Sequence, residues 1–158
     1  MKNFTLLIFA LFFTHLVYSQ DIIVTKEQNS EWILNFQNEN LKGRIKLFKN
    51  RILNDQNVYK TSGNPHGVKE QEGYNATTIY RPIYMFTSEN MKPVIMSANP
   101  SEETINSLTP LLNERKIQSI NFSNEIIDQA LYGSRANNGI IRINVSKKEF
   151  KEIKDIIL

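Results

Sequence analysis

The alternation of apolar and polar positions predicts short β-strands in the first part of the chain. Residues 22–24 are a short apolar run. Three apolar residues then stand at every second position, Trp32, Leu34 and Phe36. Residues 41–48 alternate more regularly, with basic residues on one side. Because successive side chains of a strand point to opposite faces, these spacings predict a β-rich region from 20 to 92.

Two further strands are predicted on either side of residue 90. Residues 77–86 are rich in β-branched and aromatic side chains, and Pro82 within them requires an edge strand or a break. Residues 93–96 form a short apolar run that begins with a proline. Four aromatic residues concentrate near the first of these strands, Tyr74, Tyr80, Tyr84 and Phe86. They could line a ligand site, although aromatic side chains more often fill a sheet core.

A helix is predicted to begin near residue 100. Asn99 can cap it, Pro100 suits the first helical position, and Glu102 completes a capping box. The acidic pair Glu102 and Glu103 is then explained by the helix dipole rather than by catalysis. The predicted buried stripe is Ile105, Leu108 and Leu112. Pro110 is expected to end or kink this helix.

The last third of the chain predicts strand, short helix, two turns, strand and terminal helix. The first strand covers 117–122, and the short helix covers 124–131. Four apolar residues of that helix are expected to face inward, Ile126, Ile127, Ala130 and Leu131. Gly133 and Gly139 suit turns with positive φ. One face of the next strand would carry Ile141, Ile143 and Val145, and the terminal helix would bury Phe150, Ile153 and Ile157.

Together these elements predict an α+β fold, a small mixed sheet with two or three short helices. Residues 1–19 are predicted to be a signal peptide, because Lys2 precedes an apolar core at 6–13 and Ser19 provides a small residue for cleavage. An uncleaved anchor is the alternative, but the apolar run is shorter than a membrane span. No second run in the chain is long enough to span a bilayer, so we expect an exported protein.

Charge and composition narrow the classes of function. Without Lys2, 18 basic residues face 16 acidic ones, too small an excess to predict a nucleic-acid partner. The absence of cysteine excludes disulfides and thiol chemistry. His66 stands alone in a turn-like segment, so we predict no metal site, no cofactor and no catalytic residues.

A basic cluster in the first half allows two interpretations. It consists of Lys42, Arg44, Lys46, Lys49 and Arg51, with no acidic residue among them. One interpretation is a patch for an anionic partner such as lipopolysaccharide. The other, which we favour, is the solvated face of a strand, where lysine also discourages edge pairing.

The segment 117–148 contains the most specific motif of the chain. Its strand carries Ile117 and Ile120, and Ala130 lies in the spacer that follows. The sequence then continues as Tyr132-Gly133-Ser134-Arg135-Ala136-Asn137-Asn138-Gly139-Ile140-Ile141 and reaches Lys147. This pattern resembles the plug domain of TonB-dependent outer-membrane receptors. In that family a Pro-led strand precedes the motif; Pro93 and Pro82 are rival candidates for its start, and neither strand ends in the family's Val-Asp-Gly.

The resemblance implies a plug-like region at 93–158 in an envelope protein of a Gram-negative bacterium. Since ten residues follow Lys148, we expect a plug-like module without a barrel. The implied location is the periplasm or the periplasmic face of the outer membrane. The implied partner is an outer-membrane receptor or another envelope protein, bound without catalysis. The alternative is a self-standing β-rich ligand-binding or adhesive module that uses the aromatic stretch at 74–86.

Overall fold

A four-stranded mixed sheet organises the part of the chain that the structure, a computed structural model, describes: residues 25–58, 80–97 and 100–158. The strands are β1 (Ile83–Thr87), β2 (Val94–Ile95), β3 (Ile117–Ser123) and β4 (Ile140–Val145). Their order across the sheet is β2-β1-β4-β3. The two central strands β1 and β4 are parallel, and each outer strand is antiparallel to its neighbour. The described residues therefore confirm the predicted α+β class and the small mixed sheet.

Five α-helices surround this sheet in the described residues. They are α1 (Lys26–Asn38), α2 (Leu41–Val58), α3 (Glu102–Leu108), α4 (Ile126–Tyr132) and α5 (Lys147–Ile157). Short 3₁₀ turns follow α3 at Thr109–Leu111 and α4 at Gly133–Ala136. Helices α3, α4 and α5 correspond to the three helices that the sequence predicts.

The strands predicted at 32–36 and 41–48 are wrong, because these residues belong to α1 and α2. The Thr25 hydroxyl caps α1 by accepting from the Gln28 backbone N–H at 3.1 Å, and the Gln28 side-chain Oε1 accepts from the Thr25 backbone N–H at 3.0 Å. In α2 the buried apolar residues are Ile45, Phe48 and Ile52. Their spacing of three and four places them on one helical face, a period that the alternation at 41–48 concealed. The predicted β-rich half is thus helical from 26 to 58.

The main core lies between these helices and one face of the sheet. The sheet contributes Tyr84, Phe86, Ile117, Ile120, Ile141, Ile143 and Val145. The helices contribute Phe36, Ile45, Phe48, Ile52, Leu108, Phe150 and Ile153. The predicted inward face of β4 is confirmed, as are the buried positions 105, 108 and 112. Each large apolar side chain buried in this way contributes about 1.5–3 kcal/mol of transfer free energy.

The opposite face of the sheet carries a smaller apolar cluster. Ile83, Met85 and Ile140 pack there with Ala136, and Ile95 and Tyr132 lie against them. Residues 83–86 are all buried, so β1 is a central strand covered on both faces. Pro82 immediately precedes β1 and takes no part in the ladder, so the expected break falls at the start of the strand rather than inside it.

Capping of α3 differs from the prediction. The helix is capped by Ser101, whose hydroxyl accepts a hydrogen bond from the backbone N–H of Thr104 at 3.1 Å. Pro100 precedes this cap, and Glu102 is the first residue of the helix, so the predicted position of Pro100 and the predicted capping box are wrong. Asn99, the predicted cap, lies outside the described residues. Glu102 and Glu103 do lie in the first turn of α3, where they oppose the helix dipole. Pro110 lies in the 3₁₀ turn that ends this helix.

Three other predictions fall outside the described residues. They are the signal peptide at 1–19, the strand at 22–24 and the turn around His66.

Candidate binding surface

The motif at 117–148 folds as strand β3, helix α4, a 3₁₀ turn and strand β4. Strands β3 and β4 are antiparallel neighbours, with Ile120 opposite Ile143 and Phe122 opposite Ile141. The strand beside β4 on its other side is β1, which follows Pro82. Of the two Pro-led strands, the one from Pro82 therefore lies next to the motif, and the one from Pro93 lies at the far edge of the sheet.

The predicted motif residues separate into a core group and a turn group. Ile117, Ile120 and Ile141 are buried in the main core. Tyr132 is half-buried, and its hydroxyl lies 3.8 Å from Met85 Sδ beneath α4. The exposed residues are Ala130, Gly133, Ser134 and Arg135, while Asn138 is half-buried. The motif thus builds a backbone frame, and it does not bring a reactive set of side chains together.

Two glycines shape this frame through positive φ. Gly133 ends α4 with φ of 61°, and Gly139 precedes β4 with φ of 80°. Nothing lies within 4 Å of a Cβ built on Gly133. At Gly139 a Cβ would lie 2.8 Å from the Ser123 carbonyl oxygen and closer still to the Phe122 ring. Gly133 is thus required for its backbone conformation alone, and Gly139 for conformation and space.

Helix α4 is held to the sheet by a buried carboxylate that the sequence did not predict. Asp128 is completely buried, and its Oδ2 accepts hydrogen bonds from the Ser123 hydroxyl at 2.5 Å and the Glu125 backbone N–H at 3.3 Å. Its Oδ1 accepts from Arg142 Nη2 on β4 in an ion pair. The arrangement joins the end of β3, the start of α4 and the middle of β4 through one side chain.

Electrostatics keep this carboxylate ionised. Burial alone would raise the pKa of Asp128. The hydrogen bonds from Ser123 and Glu125 and the charge of Arg142 outweigh burial, and the pKa lies below its ordinary value. Both carboxylate oxygens are occupied, so Asp128 is suited to anchoring and not to proton transfer.

With Asp128 turned inward, α4 presents its apolar side chains to solvent. Ile126 is 88% exposed, Ile127 is 56% exposed and Leu131 is 66% exposed. The prediction that these residues and Ala130 face inward is wrong. The sequence signal that could have indicated the true orientation is the acid at Asp128, three residues after Glu125, which suits an N-terminal cap. We name the exposed set Ile126, Ile127 and Leu131 the α4 surface.

A second buried polar cluster joins the helical half to the sheet. Arg51 Nε pairs with Asp55 Oδ1 at 3.0 Å, and the Tyr84 hydroxyl donates to Asp55 Oδ2 at 2.6 Å. Arg51 Nη2 donates to Asn29 Oδ1 at 3.2 Å and to the Tyr80 carbonyl at 3.1 Å. Arg51 Nη1 is buried without a hydrogen-bond partner in the described part of the chain.

This cluster keeps the Tyr84 hydroxyl protonated. Burial, and then the charge of Asp55, raise the pKa of Tyr84 well above its ordinary value, so the hydroxyl stays a donor.

The basic cluster at 42–51 is not one solvated face, since Arg51 is buried while Lys42 and Lys46 are exposed. Tyr84 and Phe86 are core residues, so half of the aromatic set considered as a ligand surface is buried.

The described residues hold no group of three or more acidic or imidazole side chains placed to bind a metal ion. Across those same residues, every helix falls short of the length and apolar character that crossing a membrane requires. The chain matches no protein-family model, no curated protein and no solved structure.

Proposed function

We propose that this chain is a non-enzymatic, exported, plug-like protein of the bacterial envelope that binds an outer-membrane receptor of the TonB-dependent class. The observation that supports this most directly is the α4 surface. Three large apolar side chains project from one short helix inside the segment that resembles a plug. Burial of each of these side chains by a partner would contribute about 1.5–3 kcal/mol of transfer free energy.

The anchoring of α4 supports a binding role over accidental exposure. An apolar helix that is free to turn would bury its own isoleucines against the sheet. The Asp128 carboxylate instead holds the helix through Ser123, the Glu125 N–H and Arg142. A buried charge that loses its partners is destabilising by about 3–5 kcal/mol, so rotation of the helix is strongly opposed. The apolar side is consequently fixed outward, as a preorganised contact surface requires.

The order of elements in the motif gives additional support, although the neighbouring strand differs from the expectation. Under the resemblance, 117–148 is expected to form strand, short helix and strand beside the strand from Pro93. In the structure β3, α4 and β4 have this order, but the strand from Pro93 lies at the far edge of the sheet, and β1 after Pro82 pairs with β4. Export, a periplasmic location and the receptor as partner remain inferences from the signal-like N-terminus and the resemblance.

Site-specific photocrosslinking in living cells of a Gram-negative host tests the proposal. A photoreactive amino acid replaces Leu131 on the α4 surface, and the matched control replaces Leu34, which is 61% exposed on α1. We expect an adduct from position 131 that mass spectrometry identifies as a TonB-dependent receptor, with no such adduct from position 34. Absence of a receptor adduct at 131, or the same adducts at both positions, would contradict the proposal.

A further inference from the structure

An open cleft lies at the carboxyl ends of the two parallel strands, away from the α4 surface. Its volume is about 660 Å³. Ser88 follows β1, and Ser146 follows β4, so both reach the same end of the sheet. Helix α4 precedes β4 in the chain and leads into the amino end of that strand, away from the cleft. The residues that line the cleft include Ser88, Gln118, Asn144, Ser146, Lys147 and Lys148.

The start of helix α5 supplies donors to this cleft. The first backbone N–H groups of a helix have no intrahelical acceptor. The Ser146 hydroxyl accepts from the backbone N–H of Glu149 at 3.5 Å, which leaves the N–H groups of Lys147 and Lys148 without an acceptor among the described residues. Both lysine side chains also stand at the positive end of the helix dipole, where a cation is unfavourable by about 0.3–1 kcal/mol. A bound anion would remove that penalty.

Ser88 provides an independent indication of a ligand. This residue is only 8% exposed, yet its hydroxyl has no hydrogen-bond partner in the described ranges. The hydroxyl oxygen is accessible to solvent. Among the described residues, the side-chain atom that is both fully buried and unpaired is Arg51 Nη1. Ser88 therefore offers a donor among the residues that line the cleft.

Two acidic residues lie at or beside the cleft together with its two lysines. The Ser146 hydroxyl donates to the Glu149 carboxylate, and Glu89 lines the cleft and is exposed, as Lys147 and Lys148 are. These charges offset one another and are screened by solvent, so an anion would be held mainly by the N–H and hydroxyl donors. Asn144 Nδ2 donates to Gln118 Oε1 at 3.1 Å, which leaves the Gln118 amide N–H₂ available as a further donor.

We propose that this cleft binds a phosphate-type oxyanion, either as a soluble phosphate or as the phosphoryl group of a lipid headgroup. The oxygens would accept from the Lys147 and Lys148 N–H groups and from the Ser88 hydroxyl. The ammonium groups of both lysines would add charge-assisted contacts to these oxygens. This site is separate from the α4 surface, so it stands whether or not a receptor binds there.

The test is amide NMR during a titration with inorganic phosphate. The protein is purified in the form that the expressing cells produce. We expect saturable shifts at residues 88, 147 and 148. The double variant Lys147→Gln, Lys148→Gln and the single variant Ser88→Ala should each weaken binding roughly tenfold, as loss of hydrogen bonds to a charged group predicts. The control is Lys151→Gln, Lys154→Gln, two exposed lysines of the same helix, which should leave the affinity unchanged.

A second arm uses co-sedimentation with phosphatidylglycerol vesicles, compared with phosphatidylcholine vesicles. Binding to the anionic vesicles that Ser88→Ala and the Lys147, Lys148 variant both weaken assigns the phosphoryl group to a lipid. Phosphate binding without vesicle binding assigns it to a soluble ligand. The proposal is overturned if neither probe binds saturably, if the control variant weakens binding equally, or if Ser88→Ala has no effect. Thermal unfolding of every variant shows that the fold is intact.

Discussion

At the scale of single residues, Gly139 is the position where conformation and space coincide. Its φ is 80°, and a Cβ would press on the Phe122 ring and the Ser123 carbonyl. We predict that Gly139→Ala lowers the free energy of unfolding by roughly 2–4 kcal/mol, from positive φ and overpacking together. Gly133→Ala shows the effect of the backbone alone, since its φ of 61° and ψ of −148° are strained for alanine but its surroundings are open. Urea denaturation measures both, and a loss for Gly139→Ala no larger than the about 1–2 kcal/mol that positive φ alone costs would contradict the role of packing.

Asp128 gives the chain an acid-sensitive contribution to stability. Its pKa is lower in the folded protein than its ordinary value of about 3.9. The stabilisation is therefore complete above about pH 5 and is lost as the pH falls through the folded pKa. We predict that Asp128→Asn is less stable than the original protein at pH 7 and that the difference narrows toward pH 2. Denaturation at several pH values checks this, and a difference independent of pH would contradict it.

At the scale of elements, α4 has its apolar side outside, and this orientation is testable with a matched pair of leucines. Leu131 on α4 is 66% exposed, whereas Leu108 on α3 is fully buried, and both helices have seven residues. We predict that Leu131→Gln changes the free energy of unfolding by no more than about 0.5 kcal/mol. Leu108→Gln should lower it by about 3 kcal/mol or more, through the lost packing and a buried amide. Similar losses at both positions would place Leu131 in the core.

The sequence predicted elements well where periodicity and turn chemistry agree. For β4, alternation leads to buried residues that the structure confirms, and in α5 Phe150 and Ile153 are buried as predicted while Ile157 is half-buried. In α2, Leu41, Ile45 and Leu47 fit a strand as well as a helix, and the deciding residues Phe48 and Ile52 lie further along. Short patterns are ambiguous in this way because a helix and a strand share positions over one or two turns.

The polar anchors could not be predicted, because each depends on partners far apart in the sequence. Asp128 is buried only because Arg142 and Ser123 reach it. Arg51 is buried because Asn29, Asp55 and Tyr80 satisfy three of its hydrogen bonds. Charged residues are almost never fully buried without partners, so a pattern of hydrophobicity assigns them to the surface. The orientation of α4, and with it the candidate site, follows from such an anchor.

At the scale of the whole molecule, Arg44 joins the helical half to the sheet. Its guanidinium donates to the carbonyls of Phe36 at 3.1 Å and Gln37 at 2.7 Å, near the end of α1. It also donates to the Ile120 carbonyl at 3.2 Å and to Asn121 Oδ1 at 2.7 Å on the edge strand β3. One side chain thus caps α1, occupies part of the outer edge of β3 and links residues about eighty positions apart.

We therefore predict that the helical half and the sheet unfold as one cooperative unit. Trp32 is the single tryptophan of the chain and stacks on Phe36 at 5.1 Å, so its fluorescence reports the packing of α1. Its transition in urea should coincide with that of the circular dichroism signal. Arg44→Met should lower the free energy of unfolding by about 1.5–3 kcal/mol, and Lys46→Met, an exposed neighbour on α2, by no more than about 0.5 kcal/mol. If fluorescence changes at lower urea than circular dichroism in the unsubstituted protein, α1 and α2 are a separate unit and Arg44 does not couple them to the sheet.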